Sequence, residues 1–214
     1  MKAARWAPLS GVVYVALWIA AFMVAGDEEK DSDSEILAWY GDSGNRNKGI
    51  VSIFLILAAS LFFVWFVAVL RGRLARSEGG AGTHTAVAFG AGLVAAGLWM
   101  VAGVFFMAIS FSAGDDDFVL DPNTYRVINN MGYVIWISGT AIAALLVFAT
   151  ALSSLKGQIV PKWIGWLSFV VGATMLVSVF FVPFLIWLGW MLVVSIVLIW
   201  KPAGSAATGA TATG

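Results

Sequence analysis

The chain has no cysteine and a single histidine, His84. Without cysteine there can be no disulfide, thiolate nucleophile, iron–sulfur cluster or Cys-ligated zinc. With one histidine, neither a bis-histidine haem nor a multi-histidine metal site can form within one chain. Charge is scarce as well. Only 11% of the 214 residues are charged, whereas soluble domains carry about 25%. Twelve basic and twelve acidic residues cancel, so no net charge favours nucleic acid as a partner.

What is present is apolar. Hydrophobic residues make up 61% of the chain, and its mean hydropathy is +0.92. A membrane span needs roughly 20 consecutive apolar residues. Runs of that length fall at 7–26, 49–70, 85–111 and 131–155, and 163–200 carries no charge at all. As one straight helix the last run would be nearly 60 Å long, against a hydrocarbon core of ~30 Å. Pro183, in "FFVPFLIW", is the natural place for it to fold back. The expected fold is therefore all-α: a polytopic transmembrane helix bundle of six spans, the last two at 163–182 and 184–200. Five spans with one over-long, Pro-kinked helix is the alternative. The start "MKAAR" resembles the basic region of a signal peptide, but the apolar run behind it is too long and "FMVAGD" is a poor cleavage site, so an uncleaved anchor is expected. The transmembrane domain occupies 1–200. The low-complexity stretch 201–214 reads as a disordered cytoplasmic tail.

Basic residues assign the sides. With the N-terminus in the cytoplasm, the inside holds Lys2, Arg5, Arg71, Arg73, Arg76, Lys156, Lys162 and Lys201. The outside holds only Lys30, Arg46, Lys48 and Arg126. The positive-inside rule favours this arrangement, with both termini cytoplasmic. Eleven of the twelve acids then lie outside, Glu78 being the exception.

Within the spans there is no Asp, Glu, Lys or Arg. Intramembrane ionisable groups usually mark proton relays or ion pathways, so their absence argues against pumps and proton-coupled carriers. Hydroxyls such as Ser52, Ser60, Ser110, Thr140 and Ser168 remain, and these ordinarily bond back to their own helix or across to a neighbour, a neutral-solute path lined by them being the alternative. Small residues form a packing seam: Ala88, Gly92 and Ala96 recur every four residues, with Gly90, Ala95 and Gly97 beside them. Gly139 with Ala143, and Gly165 with Gly172, extend the pattern to later spans. The spacing leaves open whether the seam meets a sibling span or another subunit.

Two connections concentrate the acids. In "GDEEKDSDSEILAWYGDSGNR", Ser32 and Glu35 form a capping-box pattern ahead of Ile36, Leu37, Trp39 and Tyr40. A short amphipathic helix on the outer surface is expected, followed by a turn around Asp42 and Arg46. Trp39, Tyr40, Asp42 and Arg46 are its candidate contact residues. Asp31, Asp33 and Glu35 mimic the start of an EF-hand loop, but Ile36 stands where glycine is required. Asp115, Asp116, Asp117 and Asp121 form the second cluster. These seven carboxylates are weak metal candidates, and solvated loop charge is the favoured explanation of them. Asp121 followed by Pro122 reads as a helix start.

The stretches "RWAPLSGVVYV", "EILAWYGDSGNR", "LRGRLARSEGG" and "VPKWIGWLSFVVG" resemble an uncharacterised family of small six-span integral membrane proteins of high-GC Gram-positive bacteria. The resemblance runs from about Trp6 to Trp200. It implies the fold and a bacterial plasma-membrane location, and it supplies no catalytic residue, ligand or cofactor. The expected partners are the lipid bilayer and a protein partner or second copy. The function expected is that of a non-enzymatic membrane protein acting through contacts, as an accessory, scaffold or sensor-like subunit. A passive channel or transporter for a neutral or apolar solute is the alternative. A metal-dependent enzyme at the outer face, using the loop carboxylates, is the third reading.

Overall fold

A computed structural model describes residues 6–26, 32–78, 82–157 and 160–200. The tail 201–214, Asp31, Lys2, Arg5 and Lys201 lie outside the described residues. All regular structure among them is helical: α1 Leu9–Ala25, α2 Asp33–Gly41, α3 Ser43–Ser77, α4 Thr83–Ser112, α5 Pro122–Gly157, α6 Lys162–Met175 and α7 Val182–Trp200. Of these, α3, α4, α5 and α7 are long and apolar enough to cross a membrane. This is the architecture of an integral membrane protein. Helices α1 and α6 are shorter, at 17 and 14 residues.

Helix α3 has 35 residues and α5 has 36. At 1.5 Å per residue each exceeds 50 Å, more than the ~30 Å hydrocarbon core. Their polar flanks therefore continue the helices beyond the apolar stretches. On α3 these flanks include Arg46 and Lys48 at one end and Arg71, Arg73 and Arg76 at the other. Helix α5 begins as expected from Asp121–Pro122. The Asp121 carboxylate accepts from the Thr124 amide at 2.8 Å, and proline needs no hydrogen-bond partner in the first turn.

The reversal between the last two helices differs from the expectation. The chain turns at residues 176–181, ahead of Pro183. Pro183 instead sits in the first turn of α7, where its missing N–H costs no helical bond. Helix α5 supports the turn. The Tyr133 hydroxyl donates to the Val179 carbonyl at 2.6 Å, and Ser178 Oγ to the Ile137 carbonyl at 3.3 Å.

The larger helices pack in a ring, α1 beside α3, then α4, α5, α6 and α7, which returns to α1. Aromatic side chains fill the axis. The Trp99 ring lies 5.2 Å from Phe63, 5.9 Å from Phe184, 6.1 Å from Trp187 and 6.2 Å from Tyr14, centroid to centroid. Three buried indoles find acceptors: Trp187 Nε1 donates to Tyr14 Oη at 3.0 Å, Trp190 to Ser168 Oγ at 2.8 Å, and Trp99 to Thr140 Oγ1 at 3.3 Å, whereas the buried Trp18 Nε1 has none among the described residues. Ser60, Thr140, Thr150, Ser154 and Ser168 each donate to the carbonyl four residues earlier. These hydroxyls are consumed locally and line no path.

The small-residue seam lies between sibling helices. Ala88, Ala96 and Ala143 are buried. A Cβ on Gly92 would stand 2.7 Å from both Val67 methyls and 2.9 Å from a Leu146 methyl, on α3 and α5. Gly139 leaves room for Trp99, Gly165 for Leu155, and Gly172 for Phe148. Gly90 and Gly97, by contrast, meet open space.

Candidate functional site

Helix α2 lies across one end of the bundle. Its capping box is complete: Ser32 Oγ accepts from the Glu35 amide at 3.3 Å, and a Glu35 carboxylate oxygen accepts from the Ser32 amide at 2.9 Å. Asp42 ends α2 and starts α3, accepting from the Asn45 amide at 2.8 Å. Arg46 reaches back to the Tyr40 and Gly41 carbonyls, at 2.7 and 3.1 Å, which would otherwise be orphaned at the end of α2. Near its beginning, Asp33 pairs with Arg126 of α5 at 2.6 Å. Both ends of the short helix are thereby fastened.

Its inner face is apolar. Ile36, Trp39 and Tyr40 are buried with Ile109 of α4, against Leu120, Tyr125 and Ile128. The Tyr40 and Tyr125 rings stand 5.4 Å apart. Burial and the adjacent Tyr125 push the Tyr40 phenol above its ordinary range, so it remains a neutral hydrogen-bonding group. Trp39 and Tyr40 thus dock on the protein's own helices.

Beneath α2 is a cavity of ≈ 320 Å³, at the small end of the range for ligand pockets. Its rim carries polar groups: Tyr40, Ser110, Tyr125, Asn129 and, deeper, Tyr133. Ser110 is 3% exposed, and its hydroxyl has no hydrogen-bond partner among the described residues. The floor is apolar, made by Trp18, Phe22, Ile56, Phe106, Trp136 and Phe181. None of the described lining residues is charged. Below the floor, Phe184 lies against Trp18 at 4.7 Å and Trp136 at 4.9 Å, and the aromatic axis begins. The cavity is therefore blind towards the bundle centre.

The acidic candidates do not converge on it. Asp33 and Glu35 are occupied as described, and Asp121 caps α5. Asp115 accepts from the Asp117 amide at 3.3 Å, while Asp116 and Asp117 are exposed. Among the described residues no three His, Cys, Asp or Glu side chains gather as a metal site. The sequence singles out Trp39 and Tyr40, but nothing in its local patterns joins Trp18, Trp136, Tyr125, Asn129 and Ser110 to them. Aromatic and polar residues near span ends were the available signal.

At the opposite end, Glu78 organises the start of α4. Its carboxylate accepts from the Thr85 amide at 3.1 Å and the Thr85 hydroxyl at 2.7 Å, and it contacts His84 Nδ1 at 2.5 Å. Burial alone would raise this carboxyl, but the Thr85 bonds and His84 outweigh it and hold the group below the usual carboxylate range. A depressed folded-state value stabilises the fold above the unfolded value of about 4.3 and loses that contribution as pH falls through the folded value. Acidification from neutral pH to about 3 is expected to fray the first turn of α4 through this group. Glu78→Gln should flatten that acid-side slope of thermal unfolding in detergent. An unchanged slope would show that Glu78 plays no part in it.

No family model, curated protein or solved structure matches the chain.

Proposed function

We propose that the protein is a non-enzymatic, sensor-like membrane subunit. It takes a small neutral molecule into the cavity beneath α2 and signals occupancy through contacts made by α2 with a partner protein or a second copy. Six spans, both termini in the cytoplasm and a bacterial plasma membrane complete the reading. The charge asymmetry of the loops supports this reading, in which α2 and its cavity face the outer side.

The observation that carries the proposal is a blind, uncharged pocket closed over by a helix that is pinned at both ends. A conduction path needs continuity, whereas here the axis is packed with rings, and Ser60, Thr140, Thr150, Ser154 and Ser168 each bond to their own helix. A hydrolytic site needs a base beside its nucleophile. The described lining has hydroxyls but no carboxylate, histidine or lysine next to them. Holding Asp33 to Arg126 across an exposed gap is worth roughly 0–1 kcal/mol, small enough for a bound ligand to shift the seating of α2.

The test is solute flux in proteoliposomes, using glycerol and urea followed by stopped-flow light scattering. Permeability is expected to equal that of protein-free vesicles. Accelerated flux that disappears when the axis is plugged further would replace the sensor reading with the passive-channel one.

A further inference from the structure

We infer that the cavity is loaded sideways from the membrane, and that its ligand is an uncharged single-chain amphiphile resident in the leaflet on the α2 side. The inference rests on the sensor reading of the same pocket.

The route is set by unequal helix lengths. Phe181, at the end of the α6–α7 turn, lies 5.2 Å from Phe22 of α1 and 6.1 Å from Trp136 of α5. At that level the turn fills the space between α1 and α5. Above it, α1 continues to Ala25 and α5 runs back through Tyr133, Asn129 and Tyr125 to Pro122. Tyr133 stands roughly 16 Å below the start of α5, at 1.5 Å per residue. Among the described residues no helix occupies the ring between Gly26 and Asn129, and both of these line the cavity. The described helices therefore leave the cavity mouth facing sideways, above the turn.

The turn beneath the mouth belongs in lipid. Val177, Val179, Phe180 and Val182 are each more than half exposed. Lipid-exposed irregular backbone requires its polar groups to be satisfied by protein; the Tyr133 hydroxyl supplies one such bond, to the Val179 carbonyl, and the Ser178 side chain ties the turn to the Ile137 carbonyl of α5. A molecule leaving the leaflet above this turn would meet the cavity directly.

The lining selects the ligand. Hydroxyls and an amide stand at the rim and aromatic rings at depth, which is the polarity order of the leaflet itself. An amphiphile can enter without inverting. Anionic headgroups find no free cation in the described lining, because the nearby Arg46 serves the end of α2 and Arg126 pairs with Asp33. The volume suits one chain, not the two of a phospholipid. Polar atoms on lining residues that lack hydrogen bonds among the described residues include the hydroxyl of Ser110 and the buried Trp18 Nε1, and the Ser110 hydroxyl is the one placed to meet the head.

Photolabelling of the full chain in vesicles tests this. Three diazirine probes are compared: a monoacylglycerol, a lysophosphatidylglycerol, and a short water-soluble diol added outside the vesicles. The monoacylglycerol is expected to label the peptides bearing Trp18, Phe106 and Trp136, and Ser110→Phe should abolish that labelling. Asn129→Trp, at a partly buried rim position, should do the same and serves if Ser110→Phe does not fold. Labelling of those peptides by the diol alone would overturn lateral loading while leaving the pocket reading intact. Equal labelling by the lysophosphatidylglycerol would overturn the choice of a neutral head. No cavity labelling by any probe would overturn both the inference and the reading beneath it.

Discussion

Trp99→Ala is expected to destabilise the fold by about 3 kcal/mol, the lower end of the range for emptying a large aromatic from a packed core. Trp99 is 1% exposed and stands where α1, α3, α5 and α7 meet around α4. In lipid the loss is not a transfer from water, because the unfolded helices are already in an apolar solvent. It is the loss of dispersion contacts with four rings and the cavity left when the surrounding helices cannot close in. The hydrogen bond matters less. Without Trp99, Thr140 Oγ1 keeps its bond to the Trp136 carbonyl at 3.0 Å, so no buried hydroxyl is orphaned. Unfolding in mixed detergent micelles measures the cost. Trp65→Ala, at a side chain 65% exposed, is the control and should change stability by less than about 0.5 kcal/mol. Equal effects at the two positions would show that the axial cluster does not hold the ring together. Because the same rings make the cavity blind, a folded Trp99→Ala protein is also the variant in which any leak of neutral solute would first appear.

How much of this was legible in the sequence depends on the range of the interaction. The capping box at Ser32 and Glu35, and the start of α5 at Asp121, are patterns of adjacent residues. Each closes a hydrogen bond within one turn, so the letters suffice. The apolar character of the spans was equally plain. Helix ends were less so. The polar run "SGNRNK" reads as a turn, yet it opens α3, because helix propagation costs little once the apolar part is ordered. The turn at 176–181 was hidden because nothing in "LVSVFF" breaks a helix. Its position depends on Tyr133 and Ser178 bonding between α5 and the turn, across more than forty residues of chain. The pocket is hidden for the same reason. Trp18, Ser110 and Tyr125 come from three separate segments, and only the ring order brings them to one cavity.

Gly92→Leu should cost about 3 kcal/mol or more, at or above the upper end for overpacking a well-filled site. Even the first added atom has no room. A Cβ would press on both methyls of Val67, which as a β-branched residue has few rotamers to retreat into, and on Leu146 from the other side. Relief requires α3 and α5 to move away from α4, and that separation would propagate to Trp99 two turns further along. Gly90→Leu supplies the comparison. It lies on the same helix two residues earlier, meets nothing within 4 Å and is exposed. There the change removes a helix-weakening glycine and should be neutral or stabilising by up to about 1 kcal/mol. The seam "Ala88, Gly92, Ala96" and its neighbour Gly90 look alike as small residues, and only the three-dimensional contacts separate them. Thermal unfolding of the two variants side by side decides the matter. If both lose stability equally, helix propensity and not the close approach of α3, α4 and α5 governs this face. If Gly92→Leu alone fails and a compensating Val67→Ala partly restores it, the contact is the cause, since neighbouring substitutions couple where independent ones merely add.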